Sequence, residues 1–301
     1  MYMKDGTYAV DNSTLKAVAR CQLEAQMRYH HGYALTEARA PLEQGLAGHE
    51  ALAAYYMSGD VDTALKIYAS QYKAWSDAHI EDPRDRLSYY NTNRVLQQWL
   101  VTHPVHELPY EVDPKYIEVG MRARLDKVTD YVGRLDMLVR DKATGKLTVL
   151  DHKFTGRIDD LWVNAWKLDS QLTGYMWGAE QIVGEPVHRG YINAIEVSKL
   201  PDSQKKCSKH KMAYAECGST HMKSQLISVT RTPYEVEMWR HTALLLAARF
   251  EAGNDLALDA LPAEGFFHGA CRLCEFKVWC QSGRPETMMH IFTINKWQPF
   301  E

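Results

Sequence analysis

The 301-residue sequence lacks any apolar run that approaches the roughly 18 residues needed to cross a bilayer. Its first residues, 1–6, also lack the apolar stretch of a secretory signal. With 46% hydrophobic and 24% charged residues, the composition is that of an ordinary globular protein. We therefore expect a cytoplasmic protein with no membrane partner.

A strong surplus of one charge is also missing, because the formal net charge is only −3. Proteins that bind nucleic acid often carry a basic surplus, so this balance argues mildly against such a function. It does not exclude one, since binding depends on where the charges lie rather than on their sum.

Cysteine is scarce, with six residues in the chain, and three of them lie close together near its end. A disulfide framework is not expected in a chain of this length without an export signal. Cys271, Cys274 and Cys280 form a C-x2-C-x5-C array, a spacing that suits an iron–sulfur cluster or a zinc ion. The sequence alone does not choose between these two metals.

Hydrophobic periodicity predicts a helical first third, with apolar stripes over residues 15–27, 41–57, 62–72 and 84–100. The pattern then changes to strands at 116–125, 131–140 and 146–154. A turn at 141–146 separates the last two strands, which predicts that they pair as a hairpin.

Beyond the hairpin, the pattern alternates between helices and strands. A helix is predicted over 169–183, strands over 187–197 and 225–230, and a polar loop over 205–211. The clearest helix follows Thr232, which is a plausible N-cap with proline next to it and glutamate three positions later.

The predicted hairpin carries two acids and a lysine on neighbouring strands. Side chains alternate along a strand, so Asp151 and Lys153 share a face, while Asp136 lies in the adjacent strand among apolar residues. A buried carboxylate is costly unless it is paired or binds a metal. This combination suits Mg²⁺ and phosphodiester hydrolysis, in which the metal activates water and the lysine offsets charge on the phosphate. The alternative is a surface hairpin with an ordinary salt bridge between Asp151 and Lys153.

These motifs resemble the RecB-like branch of the PD-(D/E)XK nuclease superfamily. The segment 133–136 is similar to its G-x-[IL]-D strand, and 151–156 to its D-x-K-T-G strand, although Phe154 intervenes before Thr155. The resemblance implies an α/β fold of the restriction-endonuclease-like type, a central mixed sheet flanked by helices. It implies a single nuclease domain, with a helical N-terminal lobe (1–103), a nuclease core (104–230) and a C-terminal helix and metal-cluster segment (231–301).

The resemblance also implies roles for the hairpin residues. Asp136 and Asp151 would bind Mg²⁺ or Mn²⁺, and the backbone carbonyl of His152 would add an oxygen ligand. Lys153 would assist the attacking water. The reaction that the resemblance implies is metal-assisted hydrolysis of a DNA phosphodiester. The specific activity that it implies is that of an exonuclease on single-stranded ends.

Three other residues match family positions near the metal. Gln171 and Tyr175 share a helical face after the hairpin, and His49, in segment 45–52, resembles the family's metal-binding histidine in its G-x-x-x-H-x-x-L helix. Taken alone, Gln171 suits a solvated helix surface and His49 a hydrogen-bonded packing role. Glu118, on the strand before the hairpin, is either a further acid near the site or an edge-strand residue that faces solvent, and we favour the second interpretation.

Iron–sulfur nucleases of this type, such as the CRISPR adaptation nucleases and the AddB-type subunit, place one cysteine before the nuclease core and three after it. Cys21 matches the early cysteine. The resemblance therefore implies a structural 4Fe–4S cluster, with zinc as the alternative, that would join the two ends of the chain. Its ligands would be Cys21, Cys271, Cys274 and Cys280.

Two other cysteines, Cys207 and Cys217, stand near His210 and His221. They could form a separate zinc site, but the spacing matches no strong pattern. We expect a loop with unliganded thiols there.

The sequence thus predicts a DNA nuclease that acts with recombination or repair proteins. Tyr175, Trp166 and Trp177 could stack on bases, although core packing is the default role of such side chains. Two alternatives stay open. One is a non-catalytic iron–sulfur or zinc subunit that binds DNA, and the other is a redox enzyme that uses the cluster.

Overall fold

The computed structural model describes residues 7–35, 40–200, 206, 211–212 and 222–296. Its strands are β1 (Tyr8–Val10), β2 (Tyr33–Leu35), β3 (Tyr110–Arg124), β4 (Thr129–Asp141), β5 (Leu147–Thr155), β6 (Arg189–Glu196), β7 (Lys223–Thr230) and β8 (Phe292–Ile294). Its helices are α1 (Asn12–Arg20), α2 (Gln22–Ala25), α3 (Ala40–Ser58), α4 (Val61–His79), α5 (Tyr89–Thr102), α6 (Asp160–Lys167), α7 (Ser170–Val183), α8 (Pro233–Ala252), α9 (Gly265–His268) and α10 (Lys277–Gln281).

A six-stranded mixed sheet forms the centre of the fold. Its strand order is β1-β4-β5-β6-β7, and β3 pairs with β4. The pairs β1–β4 and β5–β6 are parallel, whereas β3–β4, β4–β5 and β6–β7 are antiparallel. The predicted hairpin is therefore β4–β5, and the predicted α/β class with a central mixed sheet flanked by helices is confirmed.

Helices cover both faces of this sheet and bury a separate apolar core on each. On one face α7 packs on β3, β4 and β5, and α1 and α8 pack against it around Leu172, Met176 and Val149. On the other face α3 packs on β3 and β5, with α4 beside it, around Leu52 and Leu150. Two helical layers therefore approach the β4–β5 hairpin from opposite sides.

Local capping explains where several helices begin. The Asp60 carboxylate accepts the N–H groups of Asp62 and Thr63 at the start of α4. A reciprocal capping box between Thr232 and Glu235 starts α8, as its sequence predicts.

The helix predicted over 84–100 begins later than expected. The Ser88 side chain caps α5 by accepting the N–H of Asn91, so the helix starts at Tyr89. Before it, Ser88 N–H donates to the Asp85 carbonyl, and Asp85 N–H donates to the Asp82 carbonyl, so the chain turns there instead of continuing the helix.

The two ends of the described chain pack together. β2 pairs antiparallel with β8, which joins residues 33–35 to 292–294. Beneath this pairing lies a third apolar cluster, formed by Cys21, Leu23, Met27, Leu261, Phe276, Trp279 and Phe292. The packing of this cluster therefore places Cys21 beside the C-terminal cysteine segment.

No helix in the described part of the chain is long and apolar enough to pass through a bilayer. Cys207, His210, Cys217 and His221 lie outside the described residues, as does most of the predicted loop over 205–211.

Candidate active site

The β4–β5 ladder stops where the two acids stand. It pairs Arg140 with Leu147 and continues to the pair Met137–Leu150. One further step would place Asp136 opposite Asp151, but there the strands part, while β5 remains paired to β6 through Thr155. The sheet therefore forks, and an acid stands on each side of the fork.

Asp136 faces both a histidine and a backbone amide. Its Oδ2 accepts the N–H of His152 at 2.7 Å and lies 3.3 Å from Nδ1 of His49 on α3. Burial opposes ionisation of this acid, but His49 and the Lys153 charge outweigh burial and lower its pKa. Asp136 is therefore held as a carboxylate.

The backbone of His152 faces the fork, and its side chain does not. The N–H and C=O of a strand residue point to the same edge, so the His152 carbonyl faces the Asp136 side. The imidazole lies in the core under α3, where it stacks on Tyr56, lies 6.2 Å from the His49 ring and is hydrogen-bonded to Asn193 through Nδ1 at 2.9 Å. Burial lowers the pKa of His152 to about 3, so this ring is neutral.

Asp151 is only 1% exposed and has two partners from different elements. Its Oδ1 accepts from Nε2 of Gln171 on α7 at 3.2 Å, and its Oδ2 lies 2.7 Å from Nζ of Lys153. The lysine contact is close but poorly aligned, so Oδ2 has no well-formed hydrogen bond within the described chain. Burial raises the pKa of Asp151 in spite of the ammonium beside it.

Gln171 and Tyr175 do share one helical face, as the i, i+4 spacing predicts. Gln171 Nε2 also donates to the Tyr175 hydroxyl at 3.1 Å, so the helix α7 presents a connected polar pair to the Asp151 side of the fork. The burial of Asp151 excludes the alternative of an exposed hairpin with a solvated salt bridge.

Glu118 lies at the site, so its interpretation as a solvent-facing residue is wrong. Ligand atoms of Glu118, His49 and Asp136 all lie within 4.8 Å of one another, the only such trio among the described His, Cys, Asp and Glu residues. The register of β3 shifts between Val112 and Ile117, and Glu118 has a left-handed φ of 52°. Simple alternation along β3 therefore does not give its direction.

The surroundings of Glu118 disfavour its ionised form, because the side chain is half-buried and lies near the Asp136 carboxylate. Burial and the charge of Asp136 raise the pKa of Glu118 to about 7. Such an acid becomes a good ligand once a cation offsets the neighbouring carboxylate.

An open cleft leads to this group of side chains. Apolar residues of α3 and α4, including Leu46, Met57 and Ile67, form its wall, and it ends at Glu118 and Asp136. The exposed cation Arg134 lies on its rim. The cleft connects the Asp136 side of the fork to solvent.

Comparisons with known proteins agree with this geometry. The sequence profile of the PD-(D/E)XK nuclease superfamily matches residues 12–281, and the chain belongs to that superfamily, whose nucleases use divalent metals. The solved structure of a "Putative exonuclease" from Eubacterium rectale aligns with a TM-score of 0.51 at 12% identity, covering 90% of this chain and 87% of that one. At this identity the likeness shows the shared fold.

A second solved structure, that of SSO0001, aligns with a TM-score of 0.38 at 14% identity, covering 91% of this chain and 86% of that one. A comparison with curated proteins gave no match.

A close contact between α3 and β5 holds His49 in place. A Cβ added at Gly48 would lie 2.3 Å from the Phe154 ring, too close for any side chain. Phe154 is the residue that interrupts the D-x-K-T-G pattern, and it packs beside the core under α3. The glycine therefore lets the helix that carries His49 approach the strand that carries Asp151.

We expect Gly48→Ala to destabilise the protein by about 1–3 kcal/mol through overpacking. We expect it also to lower metal-dependent activity at least about 10-fold, since small displacements at a reacting centre are costly. Urea unfolding and an activity assay measure the two effects. Gly45→Ala is the control for stability, because a Cβ there meets nothing within 4 Å and alanine favours a helix. Equal stability of both variants would contradict this account of Gly48.

The four cysteines named from the sequence line one cavity. Cys21, Cys271, Cys274 and Cys280 surround it together with Glu24, Phe276 and other side chains. Burial raises the pKa of Cys274 to about 11, and burial and the neighbouring thiols raise that of Cys271. Without a cation, the thiols of Cys271 and Cys274 are therefore protonated.

Proposed function

We propose that the protein is a divalent-metal-dependent DNA nuclease, and that it acts as an exonuclease on single-stranded ends. The observation that carries the proposal is the fork in the sheet. Ligand atoms of Asp136, Glu118 and His49 lie within 4.8 Å of one another there, and β5 presents Asp151 paired with Lys153 on the other side of the fork. Buried acids gathered in this way are costly unless a cation balances them.

The residues at the fork fit Mg²⁺ or Mn²⁺. Asp136 and Glu118 offer the carboxylate oxygens that these ions prefer, and the imidazole of His49 beside them suits Mn²⁺ as well. Across the fork, Asp151 and the carbonyl of His152 would add further oxygen ligands. Oδ2 of Asp151, buried and without an aligned donor, supports the fit. When bound, such an ion supplies an activated water and stabilises charge on the leaving oxygen.

The protein's own groups then have distinct tasks. Lys153, an ammonium next to Asp151, is placed to orient the attacking water and to offset charge that grows on the phosphate. Gln171 holds Oδ1 of Asp151, and Tyr175 holds Gln171, so both act as positioning residues. Arg134 on the cleft rim is placed to contact a backbone phosphate.

The cysteines support a 4Fe–4S cluster better than a zinc ion. A zinc ion holds its thiolates at about 2.3 Å, which places the four sulfurs about 3.8 Å apart. No three of the sulfurs of Cys21, Cys271, Cys274 and Cys280 lie within 4.8 Å of one another among the described residues. A cubane binds each thiolate at a different corner and so suits wider spacing. We propose a structural role for it, joining the segments 1–103 and 231–301 around the core at 104–230.

The direct test is a time course on end-labelled single-stranded and double-stranded DNA with Mg²⁺ or Mn²⁺. We expect shortening from the ends of single strands, and no cleavage with a chelator that binds the added ion. Intact DNA under all metal conditions would contradict the proposed activity. It would favour the alternative of a non-catalytic DNA-binding subunit if the protein still bound DNA.

Glu118→Gln should raise the Mn²⁺ concentration needed for half-maximal activity by at least about 10-fold, because a neutral amide is a weaker ligand. The change in metal dependence is measured by titrating Mn²⁺ in the cleavage assay. Glu111→Gln, an exposed acid on the same strand β3, is the control and should leave the titration unchanged. An unchanged titration for Glu118→Gln would remove Glu118 from the ligand set.

A further inference from the structure

The short helix α6 lies beside the fork and buries none of its eight residues. It carries Trp162 and Trp166, both half-buried, whose ring centroids lie 5.7 Å apart in an edge-to-face arrangement. Their rings pack on the margin of the core but keep exposed surface, whereas Trp99 and Trp279 are 1% and 2% exposed. Core packing alone does not account for two tryptophans on so exposed a helix.

Trp166 contacts the lysine of the candidate site. Nζ of Lys153 lies 5.3 Å from the centroid of the Trp166 ring and 2.7 Å from Oδ2 of Asp151. One ammonium group therefore connects the indole to the carboxylate. A phosphate held at Lys153 would have its own nucleoside, or the next one, beside the Trp166 ring.

The two tryptophans share one side of α6. Trp162 and Trp166 are four residues apart, so they lie on one helical face, the face that contacts Lys153. Leu161 lies on a different face of α6 and is 82% exposed.

Resting on the proposed function, we propose that Trp166, supported by Trp162, is a stacking platform for the unpaired nucleobase next to the scissile phosphate of single-stranded DNA. An indole stacks on any base through its π-face and so does not select sequence. A base inside a duplex has both faces covered by its neighbours. The platform therefore selects unpaired ends, which gives the preference for single strands a structural basis on α6.

Binding tests the platform directly. In an Asp136→Asn background without added divalent ion, Trp166→Ala should weaken binding of a fluorescent single-stranded oligonucleotide by about 5- to 150-fold, the range for loss of one stacked base. Duplex binding should change by less than about 3-fold, and Trp166→Phe should retain most of the affinity. Trp75→Ala is the matched control, a half-exposed tryptophan that stacks on Tyr72 and His79 instead of a site residue.

A second arm separates stacking from an effect on Lys153. Oligonucleotides with one abasic residue, moved along the strand, should bind the parent protein weakly when the gap meets the platform. At that one position Trp166→Ala should cause no further loss. If Trp166 only positioned Lys153, Trp166→Ala in the otherwise wild-type protein would lower kcat equally at every abasic position, and binding in the Asp136→Asn background would be unchanged.

That result, or single-strand affinity of Trp166→Ala equal to that of the control, would overturn the proposal. The outcome is independent of cleavage. If the wild-type protein binds single strands through Trp166 but leaves them intact, the proposed hydrolysis fails and the platform stands. If cleavage is intact and the abasic pattern is absent, the platform fails alone.

Discussion

Asp151→Asn is expected to lower kcat for cleavage of single-stranded DNA by at least about 1000-fold, equivalent to about 4 kcal/mol of the barrier. The variant keeps the size of the side chain and an oxygen for the Gln171 amide, but it removes the charge that would bind the metal. Lys153→Met, which keeps the length of the chain without its ammonium, is expected to lose about 100-fold. Both losses should appear in kcat, as measured by product formation at saturating DNA and Mn²⁺.

Asp130→Asn is the matched control for this experiment. Asp130 is on the same strand as Asp136 and 1% exposed, but it pairs with Arg122 and Arg124, away from the fork. Its replacement should lower stability, because two arginines lose a buried partner, while the folded protein keeps its kcat. An Asp151→Asn protein that retains activity within about 10-fold of the wild type would contradict the role of Asp151.

Cys274→Ser is expected to remove iron and the visible absorption band of the anaerobically purified protein. We expect it to lower Tm by about 10 °C as well. The cluster would close a loop of roughly 250 residues between Cys21 and Cys271, a constraint on the order of 5 kcal/mol. For a chain of this size, a loss of a few kcal/mol corresponds to a shift of this order. Metal analysis, absorption spectra and thermal melting measure the three effects.

Cys207→Ser is the control, because it removes a thiol that we do not place in the cluster. It should retain iron, colour and Tm. If the wild-type protein is colourless and contains about one zinc ion per chain, the four cysteines bind zinc and not an iron–sulfur cluster. Retention of a full complement of iron by Cys274→Ser would show that this thiol is not a ligand.

Part of the site follows from local rules and could be predicted. Strand alternation places Asp151 and Lys153 on one face, and the i, i+4 rule pairs Gln171 with Tyr175. The periodicity of the central segments predicts the hairpin, the resemblance to the nuclease superfamily implies the mixed sheet, and the structure confirms both. These features depend on residues a few positions apart, and local spacing is what a single sequence records.

Other parts depend on distant contacts and could not be predicted. Glu118 lies opposite Asp136, between the pairs Ile117–Met137 and Val119–Leu135, and has a left-handed φ of 52° that no local pattern marks. The need for Gly48 arises from Phe154, which lies more than a hundred positions away in the sequence. Pairings of three residues, such as β1 with β4, are too short to show alternation.

Burial also distinguishes the two tryptophans, Trp166 and Trp177, that the sequence offered for base stacking. Trp177 is 8% exposed and packs against Tyr131 and Trp239, so it belongs to the core. Trp166 lies over Lys153. The difference between the two tryptophans lies in the position of α6, an eight-residue helix that the sequence pattern did not predict.

The central claim is that the fork between β4 and β5 holds a divalent ion, and anomalous diffraction from crystals soaked in Mn²⁺ tests it most directly. We predict a peak between Asp136, Asp151 and the His152 carbonyl, with Glu118 or His49 completing the ligands. Well-diffracting Mn²⁺-soaked crystals with an open cleft and no anomalous peak at the fork would contradict the claim.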